Sequence, residues 1–212
     1  MPEEVISYLA PADGKFIIDC TTGEGGHSSL IAERLGTRGR LLCCDIDSEF
    51  IEIARKNLAK VETDVVFIQS DYKQIPGIVK SRFGERPDGI LVDLGACSRH
   101  FDSADRGFSF KLDGPLDMRF DRTKGRTAAD LINTLDRRDL ERIFRIYGEE
   151  QKAGIISRAI VSERAKSPIM KTSRLAEIIR EAVGWRKSNI DAATKVFQAL
   201  RIAVNHETDF LK

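Results

Sequence analysis

A strand-like run, Phe16-Ile17-Ile18-Asp19, breaks into the glycine turn Thr22-Gly23-Glu24-Gly25-Gly26-His27 and then into an apolar-periodic helix. Eighteen residues past His27 a second strand, Leu41-Leu42-Cys43-Cys44, ends on Asp45. This order constrains the fold more than any other feature, because it describes one βαβ unit of the nucleoside-binding kind. Glycines let a turn bring its backbone against a ligand, and a carboxylate at the next strand end can hold ribose hydroxyls. The plainer alternative is an ordinary βα turn with a surface aspartate.

The pattern continues. Strands read at about 16–20, 40–44, 64–68 and 89–94, each short, rich in Ile, Val and Leu, and apolar on both faces, as buried parallel strands are. Helical spacing separates them at Ser28–Leu35, Ser48–Ala59 and, more weakly, Gln74–Arg82. Such alternation predicts an α/β fold with a parallel, doubly wound sheet. After residue 98 the strands stop. A Gly- and Asp-punctuated loop over 99–126 precedes helices at Thr127–Leu135, Asp136–Tyr147, Glu149–Lys166, Thr172–Val183 and Asp191–Leu211. Asp136 is placed to N-cap its helix, with Asp139 completing an acid version of a capping box, and Gly148 and Gly184 stand where C-caps would. The expected organisation is therefore a core over 1–98, a loop over 99–126 and a helical domain over 127–212.

Composition narrows the class. An apolar share of 42% and a charged share of 32% describe a globular chain, and no apolar run approaches the length of about 20 residues that a membrane span needs. Cys20, Cys43, Cys44 and Cys97 show neither a CxxC pattern nor metal-ligand spacing, so reduced, half-buried thiols are expected and no metal. The net charge of +1 hides an asymmetry: residues 1–98 carry 11 Lys and Arg against 16 Asp and Glu, while residues 99–212 carry 23 against 17. The basic half reads either as a solvated helical surface or as a flank for a phosphate backbone.

Glycines at 23, 25 and 26 do not fit the dinucleotide fingerprint G-x-G-x-x-G. That weakens a nicotinamide or flavin dinucleotide and favours S-adenosyl-L-methionine, whose adenosine suits the strand-end carboxylate and whose amino-acid tail suits the turn. Gly25, Gly26 and His27 would then meet the ligand backbone-first, and Asp45 the ribose. Asp71-Tyr72, past the third strand, can bracket the adenine, with Tyr72 supplying a π face, or Tyr72 is a half-buried loop aromatic. Asp93 ends the fourth strand and opens into the crevice where doubly wound sheets bind ligands, or else it holds loop amides. In a methyltransferase that place faces the reacting sulfonium, which makes Asp93 the candidate catalytic residue.

The loop carries Asp105-Arg106-Gly107-Phe108-Ser109-Phe110 and Asp113-Gly114-Pro115-Leu116-Asp117-Met118-Arg119. With Thr22–Ser28, Asp93–Ser98, Tyr147-Gly148-Glu149-Glu150 and Phe197-Gln198-Ala199-Leu200-Arg201-Ile202, these runs closely resemble the ribosomal-RNA small-subunit cytosine-N4 methyltransferases of the RsmH (MraW) type. The resemblance covers nearly the whole chain, and the middle run is its most specific part.

The resemblance implies a Rossmann-type methyltransferase core interrupted by a helical substrate-recognition domain. That enzyme would transfer a methyl group from S-adenosyl-L-methionine to the exocyclic N4 of a cytidine in small-subunit ribosomal RNA. By position, the family's cofactor contacts fall on Gly25, Gly26, His27, Asp45, Tyr72, Asp93 and His100. Tyr72 stands where an aromatic, often Phe, is usual, and His100 where Gln is common. Cys97 replaces the first Ser of a Gly-x-Ser-Ser loop, and His206 an acidic residue. Phe108, Phe110 and Phe120 can pack on an extruded base, although buried anchors are the commoner role for such residues. Arg106, Arg119, Arg122, Lys124 and Arg126 would meet phosphates or else pair with the interleaved aspartates. The substrate-binding set is thus Arg106, Phe108, Phe110 and Arg119.

The family's chain continues into further strands beyond the last residue here, and its opening helix begins before Met1. A four-strand sheet ordered 3-2-1-4 would leave Ile90-Leu91-Val92 as a bare apolar edge. Helix-rich insertions can mediate homodimers. The expected compartment is cytoplasm, or an organellar matrix in a eukaryote. The rival readings are a fragment that binds S-adenosyl-L-methionine or RNA without turnover, a dehydrogenase on the same βαβ half, and a structural RNA-binding partner.

Overall fold

The structure is a computed structural model that describes residues 2–184 and 191–208. The chain divides into two compact units, residues 1–94 and 95–212.

The first unit is built on four parallel strands, β1 (Phe16–Asp19), β2 (Arg40–Asp45), β3 (Asp64–Gln69) and β4 (Gly89–Leu91), in the order β3-β2-β1-β4. That is the strand order of one Rossmann half plus the first strand across the switch point. Period-two alternation sends Ile17, Leu41 and Cys43 to one face, where they meet Ile31, Leu35, Ala54 and Leu58. These partners belong to α2 (Gly26–Leu35) and to α3 (Ser48–Asn57) and its C-cap. Phe16, Ile18, Leu42 and Cys44 go to the other face, against Ile75 and Val79 of α4 (Ile75–Arg82). The central strands β1 and β2 are therefore covered on both faces, which is why they read as continuous apolar runs, whereas β3 is half-buried and β4 partly exposed. A short α1 (Pro2–Leu9) precedes β1. At β4, Ile90, Val92 and Leu94 are 55%, 46% and 50% exposed, the apolar edge expected of this strand order.

Three of the four thiols are more deeply buried than expected: Cys20, Cys43 and Cys44 are closed in the sheet, and only Cys97 is half-buried. Burial pushes the Cys20 thiol up to about 11 and the Cys43 thiol up to about 12. Both groups are uncharged apolar filler at neutral pH.

The second unit is helical: α5 (Ser98–Asp102), α6 (Ala128–Thr134), α7 (Arg137–Gly148), α8 (Ala153–Arg164), α9 (Thr172–Val183) and α10 (Ala193–Asn205). Its core joins Ile132, Leu140, Phe144, Ile156, Ile160, Leu175, Ile179, Val196 and Leu200, all fully buried. Asp136 caps α7 by accepting the Asp139 amide at 2.8 Å. Gly184 follows α9 at φ 73°, as expected. Gly148 does not cap α7: it is the helix's last residue, and the left-handed position is taken by Glu149 at φ 49°. A Cβ on Gly148 would lie 2.5 Å from the Lys195 carbonyl oxygen, so close packing of α7 on α10 is what requires glycine. Since Glu149 turns the chain, α8 starts at Ala153 rather than at residue 149. His206 at φ 53° ends α10 at Asn205, short of the expected helix end, whose last residues lie outside the described residues.

The expected loop over 99–126 is more ordered than its composition suggests. It begins in α5 and a 3-10 turn, Ala104–Arg106, and its middle enters the core, with Leu116 2% and Met118 0% exposed. Backbone bonds pin it: Leu116 N–H to the Met170 carbonyl at 2.9 Å, Thr172 N–H to the Gly114 carbonyl at 3.0 Å, and Met118 N–H to the Arg106 carbonyl at 3.0 Å. The Asn205 side chain closes the far end, accepting the Phe120 amide and donating to the Met118 carbonyl, each at 2.8 Å.

Candidate active site

The strand register brings three carboxylates to one end of the first unit's sheet. Asp19, the last residue of β1, pairs with Cys43 on one side and Leu91 on the other, and Asp45 and Asp93 each stand two residues beyond those partners. The carboxyl ends of β1, β2 and β4 thus flank the turn that leaves β1, which is the ligand-binding crevice of a doubly wound sheet.

The turn is held by side chains from two of those strands. Gly23 N–H donates to Asp45 Oδ2 at 2.8 Å, and the other carboxylate oxygen accepts the Asp47 amide at 2.9 Å. Asp19 is fully buried, accepting Ser28 Oγ–H at 2.6 Å and the Thr21 amide at 3.1 Å. Burial pushes its carboxyl up, against the opposing pull of the Ser28 and Thr21 hydrogen bonds. Gly25 sits at φ 90° immediately before α2, so the backbone conformation favours glycine, and a Cβ there would also press on the end of the Leu58 side chain, with Cδ1 at 2.6 Å. Beyond Gly26, where a Cβ would meet nothing within 4 Å, the helix N-terminus opens outward.

Of the expected cofactor residues, Gly25, Gly26, His27, Asp45, Tyr72 and Asp93 all lie in the first unit. His27 Nε2 is 3.9 Å from Asp93 Oδ2, and its buried Nδ1 has no hydrogen-bond partner among the described residues. The Asp93 side chain is 61% exposed. Tyr72 opens a 3-10 turn capped by Asp71 and packs, half-buried, against the cluster of Ile75 and Leu42.

The remaining expected residues lie in the second unit. His100 is buried between Phe108 and Phe120, with ring centroids 4.7 and 4.9 Å away, and its Nδ1 accepts the Cys97 amide at 3.2 Å. Arg106 is buried and donates to the Arg119 and Phe120 carbonyls, each at 3.1 Å. Arg119 grips Asp117 with two hydrogen bonds, Nε to Oδ1 at 2.7 Å and Nη2 to Oδ2 at 2.9 Å. Burial raises the Asp117 carboxyl, but the bonds and charge of Arg119, with Arg122 beyond, outweigh it and hold the group below its ordinary value. Arg122 pairs with Asp105 at 2.9 Å. Arg119 and Arg122 thus pair with interleaved aspartates, whereas those two bonds of Arg106 go to backbone carbonyls. Phe108 is a buried core residue, and Phe110 meets the Phe197 ring edge-on at 5.0 Å. A cleft of about 620 Å³ in this unit is lined by Phe101, Phe110, Lys111, Phe197, Gln198 and Arg201 among others.

Sequence reasoning passed over Asp19 and Thr21 as site residues. A carboxylate closing an otherwise apolar strand was the available signal for Asp19. Thr21 carried none, because the hydrogen bond that its Oγ1 accepts from the Asp93 amide, at 2.8 Å, joins residues 72 positions apart.

A parallel 3-2-1-4 sheet with a glycine turn and strand-end carboxylates defines a Rossmann-type nucleoside-binding unit. The sequence narrows this further: the family model described as the MraW methylase family matches residues 1–212, and the chain belongs to that family. Among its relatives, the ribosomal RNA small subunit methyltransferase H of Syntrophotalea carbinolica is 46% identical over 100% of this chain and 68% of its own length. The protein of the same name from Thermobifida fusca is 42% identical over 100% of this chain and 66% of its own length. The chain thus spans about two thirds of these relatives. A solved S-adenosylmethionine-dependent O-methyltransferase from Thermotoga maritima overlaps 54% of this chain and 42% of its own at 20% identity, with a TM-score of 0.36.

Proposed function

We propose that this chain belongs to an S-adenosyl-L-methionine-dependent methyltransferase acting on the N4 amino group of a cytidine in small-subunit ribosomal RNA, in the cytoplasm. The observation that carries this reading is the crevice itself, with a glycine turn held open by Asp45 and an exposed Asp93 at the adjacent strand end. Family membership and the names of the relatives support the substrate class.

The residues present fit the cofactor. Gly25 and Gly26 leave the turn free of side chains, Asp45 supplies acceptors for ribose hydroxyls, and Tyr72 offers a ring edge or face to adenine. When bound, S-adenosyl-L-methionine supplies an electrophilic methyl group on a sulfonium. The cytosine amino group is a poor nucleophile, because its lone pair is delocalised into the ring. Asp93 accepts hydrogen bonds from the amino protons, which favours a more tetrahedral nitrogen and aligns it for attack. The same carboxylate offsets the positive charge that develops on N4 and takes the proton that the nitrogen must lose. His27, beside it, adds a second polar group at that position. The basic second unit supplies the electrostatic attraction for the phosphate backbone. Among the described residues no helix is long and apolar enough to cross a membrane.

Titration calorimetry with S-adenosyl-L-methionine tests the cofactor half of the reading. The chain is expected to bind it, to lose most of that affinity in Asp45→Ala, and to show no matching affinity for NAD. Binding of NAD in preference would contradict the proposal.

A further inference from the structure

The chain leaves the β-ladder at Leu91, whose carbonyl accepts the Cys20 amide at 2.9 Å. Two residues later the Asp93 amide donates to Thr21 Oγ1 at 2.8 Å. Thr21 is itself fixed, since its own amide donates to Asp19, and Asp19 is locked in the interior by Ser28. Among the described residues the Asp93 carboxylate has no comparable anchor of its own. It is 61% exposed, and the 3.9 Å to His27 exceeds hydrogen-bond length. Its placement is therefore set through its backbone.

We infer that Thr21 is the positioning residue for Asp93: its hydroxyl carries the fixed geometry of the buried Asp19–Ser28 pair across to the carboxylate beyond β4. The inference rests on reading the first unit as the S-adenosyl-L-methionine site. Thr21 suits the task because branching at Cβ restricts χ1 and so limits where the acceptor oxygen can lie. Losing the bond frees the loop after β4, and Asp93 then samples positions in which it serves neither the cofactor nor the amine. The buried Asp19 acts one step further back, through the Thr21 amide, and touches no ligand itself.

Two measurements on the chain test this. In the first, amide exchange at Asp93 is followed by NMR in the parent, Thr21→Val and Thr21→Ser, with Thr21→Ala as a second deletion should the valine variant fold poorly. Deleting the hydroxyl is expected to speed exchange of the Asp93 amide by about tenfold or more, while serine restores it to within about twofold. In the second, S-adenosyl-L-methionine affinity is measured in a double-mutant cycle with Asp93→Ala. Thr21→Val is expected to weaken binding by roughly fivefold in the parent and to add nothing once Asp93 is gone. Unchanged exchange in Thr21→Val, equal impairment by valine and serine, or additive effects in the cycle would each overturn the inference. A parent chain with no affinity for the cofactor would instead sink the functional reading on which it rests, and the exchange measurement would still decide the link between Thr21 and Asp93.

Discussion

Gly23 N–H donates to Asp45 Oδ2 at 2.8 Å, so the carboxylate expected to hold a ribose also holds the glycine turn. A carboxylate can accept up to about four hydrogen bonds. On the proposed function, one residue couples the shape of the turn to recognition of the ligand. Asp45→Ala is expected to cost both: roughly tenfold or more in S-adenosyl-L-methionine affinity by calorimetry, and about 1 kcal/mol of stability in a denaturant melt. An affinity within twofold of the parent would remove Asp45 from the site.

Gly25 gives a sharper structural prediction. Alanine there meets both a φ of 90° and Leu58 Cδ1 at 2.6 Å. Gly25→Ala should destabilise the first unit by about 1–3 kcal/mol. Adding Leu58→Ala relieves the contact but not the backbone strain, and opens a cavity, so urea melts of the double variant should show no full recovery.

The buried Asp19 sets a pH dependence. Its folded-state pKa is raised, chiefly by desolvation, so its favourable contribution is complete below the ordinary carboxylate value of 3.8 and is lost as pH rises through the raised value. Asp19→Asn removes the titration and adds a constant offset from its altered hydrogen bonding. The parent should therefore lose stability relative to Asp19→Asn as pH rises, in melts run from pH 4 to pH 8. A flat difference would mean that Asp19 ionises at its ordinary value.

Asp117 titrates in the opposite sense. Its folded-state pKa is lowered, so its contribution is present above the ordinary carboxylate value and is lost as pH falls through the lowered one. With both partners largely buried, Arg119→Ala should destabilise the second unit by about 2 kcal/mol at neutral pH, and the deficit should shrink in acid. Because the Arg119 guanidinium is committed to Asp117, removing it should leave the salt dependence of RNA binding nearly unchanged.

Much of the first unit was legible in sequence, because parallel strands covered on both faces write themselves as short apolar runs, and the turn between Asp19 and α2 as glycine. Strand order is not written in those runs; it came with the Rossmann-type core that the family resemblance implies. The second unit was less legible. The five residues of Ser98–Asp102 are too few to show a helical period, so α5 was read as loop. The stretch around Asp113–Met118 read as loop by composition, yet Leu116 and Met118 are core residues, and backbone bonds tie Gly114 to Thr172 and Leu116 to Met170, more than fifty positions away. Arg106 and Arg119, read as phosphate contacts or ion-pair partners, make the contacts that hold this segment. The pairing of Leu116 with Met170 and of Gly114 with Thr172 is long-range and leaves no local mark. Asp45 and Asp93 were visible as strand-end carboxylates, whereas the dependence of Asp93 on Thr21 arises only when β1 and β4 lie side by side.

The most direct measurement is methyl transfer from labelled S-adenosyl-L-methionine to under-methylated small ribosomal subunits, with the modified nucleoside identified by mass spectrometry. The proposed function predicts N4-methylcytidine that disappears in Asp93→Ala, with a loss of about a hundredfold or more in rate. A label on another atom, or N4-methylcytidine formed equally well without Asp93, would contradict it.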